Sequence, residues 1–295
     1  MRTGSASQTA EYVALFRAIE TARPEGERLF SDPLAAAFLT GRLKRGALAA
    51  RMPLGADAVS KYIDTRWPGP RPSAVVRTRV IDDAVRDAIG AGCAQLVLLG
   101  AGYDTRAYRL PQTAGIAAFE VDHPATQAIK REVLEQELPA IPETVRFVGV
   151  DFERDSLADA LDAAGLQRDV KTCVVWEGVF SYLTIEAIDA TLGWCVSACP
   201  PGSRVILTYL DQQVVGERGE RSAWIAAVED AGEPFITGLD PAHAPRFFAE
   251  RGLELLSDES TRESAARLRP DDADEMPGFY RVAELEVSSR QPPDA

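Results

Sequence analysis

Gln95-Leu96-Val97-Leu98-Leu99-Gly100-Ala101-Gly102-Tyr103-Asp104-Thr105-Arg106 is the stretch on which the reading of this chain turns. An unbroken apolar run suits a strand of a parallel sheet that is covered on both faces. The glycines that follow it let the backbone turn tightly and approach a ligand closely. Four more short runs, at 116–122, 145–151, 172–177 and 204–210, have the same character. Segments with helical spacing lie between them, at 124–138, 156–164 and 184–198, the last with Thr184 as its cap. Strand–helix alternation of this kind predicts an α/β, doubly wound, Rossmann-like sheet. Further helices are expected at 221–231 and 245–251, and two final strands at 253–257 and 280–287. With no helix read between them, those two form an antiparallel pair. The expectation is five parallel strands plus a C-terminal antiparallel pair.

Upstream of the sheet the chain reads as helix and loop. Tyr12, Leu15, Phe16 and Ile19 share one helical face, and Asp32 would cap a short helix beginning at Pro33. The proline-rich segment 67–72 reads as a linker that cannot be helical, and helical spacing returns from Val75 to Gly90. The expected organisation is an N-terminal helical cap over 1–72 and a Rossmann-like domain over 73–295, with a helical insertion at about 211–252.

The 295 residues are 46% hydrophobic and 26% charged, an ordinary globular balance. A net charge of −13 repels polyanions and argues against a nucleic-acid groove. With His123 and His243 the only histidines, a site with three His ligands is impossible, and no metal is expected. Cys93, Cys173, Cys195 and Cys199 form no C-x-x-C pair and read as buried, reduced thiols. No apolar run reaches the roughly 20 residues needed to span a bilayer, and residues 1–12 show no apolar leader. A cytoplasmic protein without a membrane partner is therefore expected.

The chemistry lies at the strand ends. Asp122 closes the second run 22 residues after Gly100, where an acid can bind ribose hydroxyls; it can equally cap the helix that follows. A dinucleotide would want a third glycine where Thr105 stands, because its pyrophosphate needs a bare helix N-terminus. A cofactor with a ribose and no phosphate has no such need, and S-adenosyl-L-methionine is one.

Several segments together carry a family resemblance. They are Thr9-Ala10 with Arg17-Ala18 and Glu20, Leu29-Phe30-Ser31-Asp32-Pro33-Leu34-Ala35, and Arg77-Thr78-Arg79-Val80-Ile81-Asp82-Asp83. They continue through 95–110, Phe119-Glu120-Val121-Asp122-His123-Pro124-Ala125-Thr126, Val150-Asp151-Phe152, Trp176-Glu177-Gly178-Val179 with Tyr182-Leu183, and Pro201-Gly202-Ser203. In these the chain resembles the S-adenosylmethionine-dependent methyltransferases related to leucine carboxyl methyltransferase, in particular a bacterial branch that includes polyketide carboxyl O-methyltransferases. The resemblance spans about 7–210 and implies a class I methyltransferase sheet and S-adenosyl-L-methionine as cofactor. It also implies residue roles. Arg79 would pair with the methionine carboxylate, Gly100, Ala101 and Gly102 would pass beneath the methionyl and ribose parts, and Asp122 would take the ribose hydroxyls. Asp151 and Phe152 would meet the adenine, and Glu177 the methionine end. Tyr182, Tyr209, His123 and His243 are the candidates on the acceptor side.

Methyl transfer to oxygen is the expected reaction. A carboxylate is ionised at neutral pH and needs no base, whereas a phenol or alcohol wants one. The shortage of clear bases favours a carboxylate of a small molecule or peptide over a hydroxyl. More distant readings are a nicotinamide-dependent oxidoreductase, against which Thr105 speaks, and a non-catalytic binding protein on the same sheet.

Overall fold

A computed structural model describes residues 8–151, 154–215 and 234–289. Four helices precede the sheet: α1 (Gln8–Thr21), α2 (Gly41–Ala50), α3 (Gly55–Arg66) and α4 (Pro70–Gly90). Then come β1 (Gln95–Leu99), the one-turn α5 (Arg106–Arg109), β2 (Ala117–Asp122), α6 (Pro124–Glu137), β3 (Val145–Gly149), α7 (Leu157–Ala163), β4 (Thr172–Trp176), α8 (Ile185–Ala198) and β5 (Arg204–Leu210). The chain continues with α9 (Ala244–Ala249), β6 (Leu253–Ser260), α10 (Thr261–Leu268) and β7 (Tyr280–Val287). The expected helix at 221–231 lies outside the described residues.

The seven strands lie in the order β3-β2-β1-β4-β5-β7-β6. β1 to β5 are mutually parallel, and β7 runs antiparallel to both β5 and β6. This is the doubly wound sheet with its C-terminal antiparallel pair. Successive residues of β1 enter opposite cores. Val97 and Leu99 pack with Leu161 of α7 and Ile188 and Leu192 of α8. Leu96 and Leu98 pack with Ile81 and Val85 of α4. That division is why the β1 run is apolar throughout rather than alternating. A third core lies under the N-terminal helices, where Leu15, Phe16 and Ile19 of α1 meet Phe38, Val75, Tyr103 and Leu134. Each such side chain, fully buried, contributes roughly 1.5–3 kcal/mol. All four cysteines are free and buried, and burial pushes the Cys199 thiol up to about 12.

Three local expectations are corrected. Pro70 and Pro72 belong to the first turn of α4, where N–H groups have no intrahelical acceptor and proline costs little. The 67–72 segment is therefore a helix start more than a linker, and α4 runs across the boundary drawn at 72. A helix, α10, does lie between β6 and β7, begun by a capping box in which Ser260 and Glu263 satisfy each other's backbone N–H groups. Its buried face is made of small and polar residues, Thr261, Ser264 and Ala265, so no apolar period announced it. β6 extends to Ser260, beyond the 253–257 read from sequence. Among the described residues no helix is long and apolar enough to cross a membrane.

Candidate active site

The parallel register sets three residues level along the carboxyl rim of the sheet. Gly100 and Asp122 each lie one residue beyond the Leu99–Val121 pair, and Glu177 lies two beyond Val175, the partner of Leu98. Gly100 and Gly102 both take positive φ, 65° and 40°. A Cβ at Gly100 would stand 2.5 Å from Val179 Cγ2, so glycine is required there by space as well as by conformation. The Ala101 N–H continues the strand ladder by donating to the Val121 carbonyl at 3.0 Å.

Asp122 faces this turn. Its carboxylate accepts the Gly102 N–H at 2.5 Å and the His123 N–H at 2.6 Å. Burial pushes its pKa up, while the two N–H bonds pull it back. Four lone-pair directions on a carboxylate leave acceptor capacity beyond those two bonds. Two residues earlier on β2, buried Glu120 sits 2.8 Å from buried Lys130 of α6, an ion pair that fixes the helix beneath the same rim.

Glu177 ends the fourth strand between two guanidinium groups. Arg77 Nε donates to it at 2.7 Å and Arg106 Nη1 at 2.6 Å. Burial alone would raise its pKa; the two arginines outweigh that and hold it well below the usual carboxylate range. Arg106, 2% exposed, also reaches Asp82 at 2.8 Å and Asp104 at 2.5 Å. Asp82 in turn binds Arg109 at 2.6 and 2.7 Å. Thr105 donates to Asp32 at 2.6 Å, and Asp32 pairs with Arg17 at 2.9 Å. Arg17 also donates to the Tyr103 carbonyl at 2.5 Å. Four arginines and four acids thus form a charge-balanced network below the glycine turn. It ties α1 and the Asp32 loop to α4, α5 and β4. Thr105, read from sequence as a missing glycine, is one of the donors that join the two halves, with Arg109 also 3.8 Å from Asp32.

Arg79 takes no part in this arrangement. Two helical residues turn about 200°, so Arg77 and Arg79 leave α4 on opposite sides. Arg79 bonds Asp83 at 2.7 Å and the Leu29 carbonyl at 2.8 Å, and Asp83 also holds Arg86. The arginine that α4 presents to the rim is Arg77. No signal in the motif Arg77-Thr78-Arg79 separates the two; the phase of the helix does.

The other candidates are dispersed. Asp151 follows β3 two residues past Gly149, the partner of Asp122. Its backbone N–H donates to Asp155 at 2.9 Å. Phe152 lies outside the described residues. His123 is exposed, and its Nδ1 accepts the Ala125 N–H at 3.2 Å, capping α6. His243 precedes α9, 75% exposed, with Nδ1 3.1 Å from Asp240. Tyr209 is buried beside Phe180 and donates its hydroxyl to Asp258 at 2.5 Å, so it faces the core and not an acceptor. Tyr182 is half-buried with its ring 4.8 Å from that of Phe235. The segment carrying Phe235 returns to this corner, where the Ile236 and Thr237 N–H groups donate to the Ser181 carbonyl.

Comparison with known proteins places the chain in a family. Residues 10–196 match the family model of leucine carboxyl methyltransferase. A provisionally named S-adenosyl-L-methionine-dependent methyltransferase of Mycobacterium sp. (strain KMS) is 37% identical over 247 residues, 80% of this chain and 77% of that protein. A protein of Frankia alni with the same provisional description is 39% identical over 240 residues, 78% of this chain and 80% of its own length. Among solved structures, a DUF574 family protein from Streptomyces avermitilis superposes with a TM-score of 0.57 at 15% identity, covering 93% of this chain and 96% of that one. A provisionally named methyltransferase from Thermobifida fusca gives a TM-score of 0.56 at 18% identity, covering 92% and 97%. These two superpositions speak for the fold alone. Family model and relatives together lead to one statement: the chain belongs to the leucine carboxyl methyltransferase family.

Proposed function

We propose that this family member transfers a methyl group from S-adenosyl-L-methionine to a carboxylate of a small molecule or peptide, forming a methyl ester. That it is an S-adenosyl-L-methionine-dependent methyltransferase follows from its family. The rim residues fit the cofactor. Gly100 and Gly102 leave bare backbone for the methionyl and ribose parts to lie against. Asp122 has lone pairs left for ribose hydroxyls. Arg77, in place of Arg79, suits the methionine carboxylate, since a guanidinium presents a planar fork to a carboxylate. Glu177, kept ionised by its two arginines, suits the ammonium group. Asp151 is assigned to the adenine amino group.

When bound, the cofactor supplies an activated methyl group on sulfur. The chain's own residues contribute alignment and exclusion of water. Residues 7–40 are proposed as the lid over this site. Ala10 of α1 lies 3.8 Å from where a Cβ on Gly102 would stand, and Phe38 stacks on Tyr103 at 4.7 Å.

The observation that carries the choice of a carboxylate is the engagement of three of the four candidates, His123, His243 and Tyr209. His123 caps a helix, His243 pairs with Asp240 at the surface, and Tyr209 is locked to Asp258. An acceptor that is already ionised needs none of them. The test uses cofactor labelled in the methyl group and a panel of carboxylate and phenol acceptors. Mild alkali releases labelled methanol from a methyl ester. Label that stays on the product through that treatment refutes the carboxylate reading and points to a hydroxyl acceptor.

A further inference from the structure

The segment 41–67 differs in charge from the rest of the molecule. It carries Arg42, Lys44, Arg45, Arg51, Lys61 and Arg66 against Asp57 and Asp64, a balance of +4 in a chain of −13. Both acids are already engaged from outside the segment, Asp57 by Arg23 at 3.0 Å and Asp64 by Arg71 at 2.5 Å. The six cations are exposed, and among the described residues none of their side chains has an acidic partner. The same segment holds exposed Leu48, Met52, Leu54, Tyr62 and Trp67, most of the exposed large apolar residues of the described chain.

Their arrangement is directional. Met52-Pro53-Leu54 forms the turn between α2 and α3, with Leu54 84% exposed and Met52 65% exposed. Leu48 stands one turn back along α2, Arg51 is at the tip, and Lys44 and Arg45 lie within about 12 Å of it along the helix. Leu54 has a left-handed backbone, φ 59°. That conformation is unfavourable for a branched apolar residue and would suit Asn or Gly better. A strained leucine held out into water is unusual for a face that meets only water.

We propose that the α2–α3 hairpin docks on an anionic lipid surface, Leu48, Met52 and Leu54 entering the headgroup region while the arginines and lysines meet lipid phosphates. Exposed apolar side chains flanked by these cations on a helix–turn–helix suit the headgroup region, where acyl chains and phosphates are met together. The local positive charge complements an anionic leaflet, and the negative remainder of the chain orients the molecule tip-first. The expectation of no membrane partner rested on the lack of a spanning segment, and a surface-docked hairpin needs none.

The experiment is sedimentation of the full chain with vesicles of phosphatidylcholine alone, and of roughly two parts phosphatidylcholine to one part phosphatidylglycerol. The chain should bind the anionic vesicles at least about tenfold more tightly, and less so at high salt. Arg45→Gln with Arg51→Gln should weaken that binding roughly 30-fold. Leu54→Asn should also weaken it, while its melting temperature holds or rises because the backbone strain is relieved. S-adenosylhomocysteine binding, unchanged in both variants, reports that each is folded. Equal binding to both vesicles overturns the proposal, as does wild-type anionic binding by both variants. Tight binding to poly-L-glutamate with none to vesicles also overturns it, the hairpin then being a dock for an acidic protein.

Discussion

Arg106 and Arg51 are the same residue type put to opposite uses. Arg106 is buried and meets three carboxylates, those of Asp82, Asp104 and Glu177. Arg51 is exposed at the tip of a hairpin and meets none among the described residues. In the network under the glycine turn, charge fastens five stretches of chain, from α1 to the end of β4. On the hairpin it stays available to something outside the molecule. The difference lies in consequences: a buried pair adds little over an apolar pair of equal shape, yet losing one partner strands the other in a dry interior.

The largest effect should come from stranding. Asp82→Ala leaves Arg106 and Arg109 without a shared partner and should cost about 3–5 kcal/mol in urea unfolding. Arg51→Ala should stay within about 0.5 kcal/mol. Similar losses for the two would break the comparison.

Next in size is Asp122→Ala, read by calorimetry with S-adenosylhomocysteine. Two charge-assisted hydrogen bonds, at roughly 1.5–3 kcal/mol each, set the upper scale of the lost affinity. Affinity equal to that of the unaltered chain would remove Asp122 from the site.

Acid stability sharpens the network half of the comparison. Glu177 and Asp104 have folded pKa values below the ordinary range, Glu177 by far the lower. Such groups stabilise the fold above the unfolded carboxyl pKa of about 4.3 or below, and that stability is lost as pH falls toward the folded value, because the unfolded chain takes up protons first. The melting temperature should therefore fall steeply below about pH 4. Glu177→Gln, although less stable at neutral pH, should show a flatter acid limb. An unchanged limb would show that Glu177 is not the group responsible.

The smallest effect separates two neighbouring arginines. Arg79→Ala, which breaks a half-exposed pair with Asp83, should cost at most about 1 kcal/mol and leave cofactor affinity alone. Arg77→Ala should weaken cofactor binding at least about tenfold. The reverse result would restore Arg79 to the rim.

What was legible in the sequence follows from what is local. Short apolar runs marked β1 to β5 to within a residue or two, most sharply β1, β4 and β5, because a strand covered on both faces has no polar side to blur its limits. The level placement of Gly100, Asp122 and Glu177 then followed from the parallel sheet. What stayed hidden depends on contacts between distant residues or on helix phase. Thr105 owes its role to Asp32, 73 residues away. Arg77 and Arg79 are told apart only by the rotation of α4, which buries Arg77, Thr78 and Asp82 along with its apolar residues and so shows no clean face. α2 and α3 were missed because Gly41, Gly46, Pro53 and Gly55 interrupt any period.

The place of β7 in the sheet carries a consequence for synthesis. It lies between β5 and β6, pairing Tyr280–Val287 with Arg204–Leu210 on one side and with β6 on the other. In a chain built from its N-terminus, β7 is therefore made after every other strand of the sheet. Until it emerges, Val205, Ile206 and Leu207 border an open row of backbone donors and acceptors, the kind of edge that recruits other chains. The interval between translating residue 210 and residue 287 then becomes the window in which a ribosome-bound intermediate is most exposed to aggregation. Slowing translation across 211–279 should lower the yield of folded protein without altering any contact of the finished molecule.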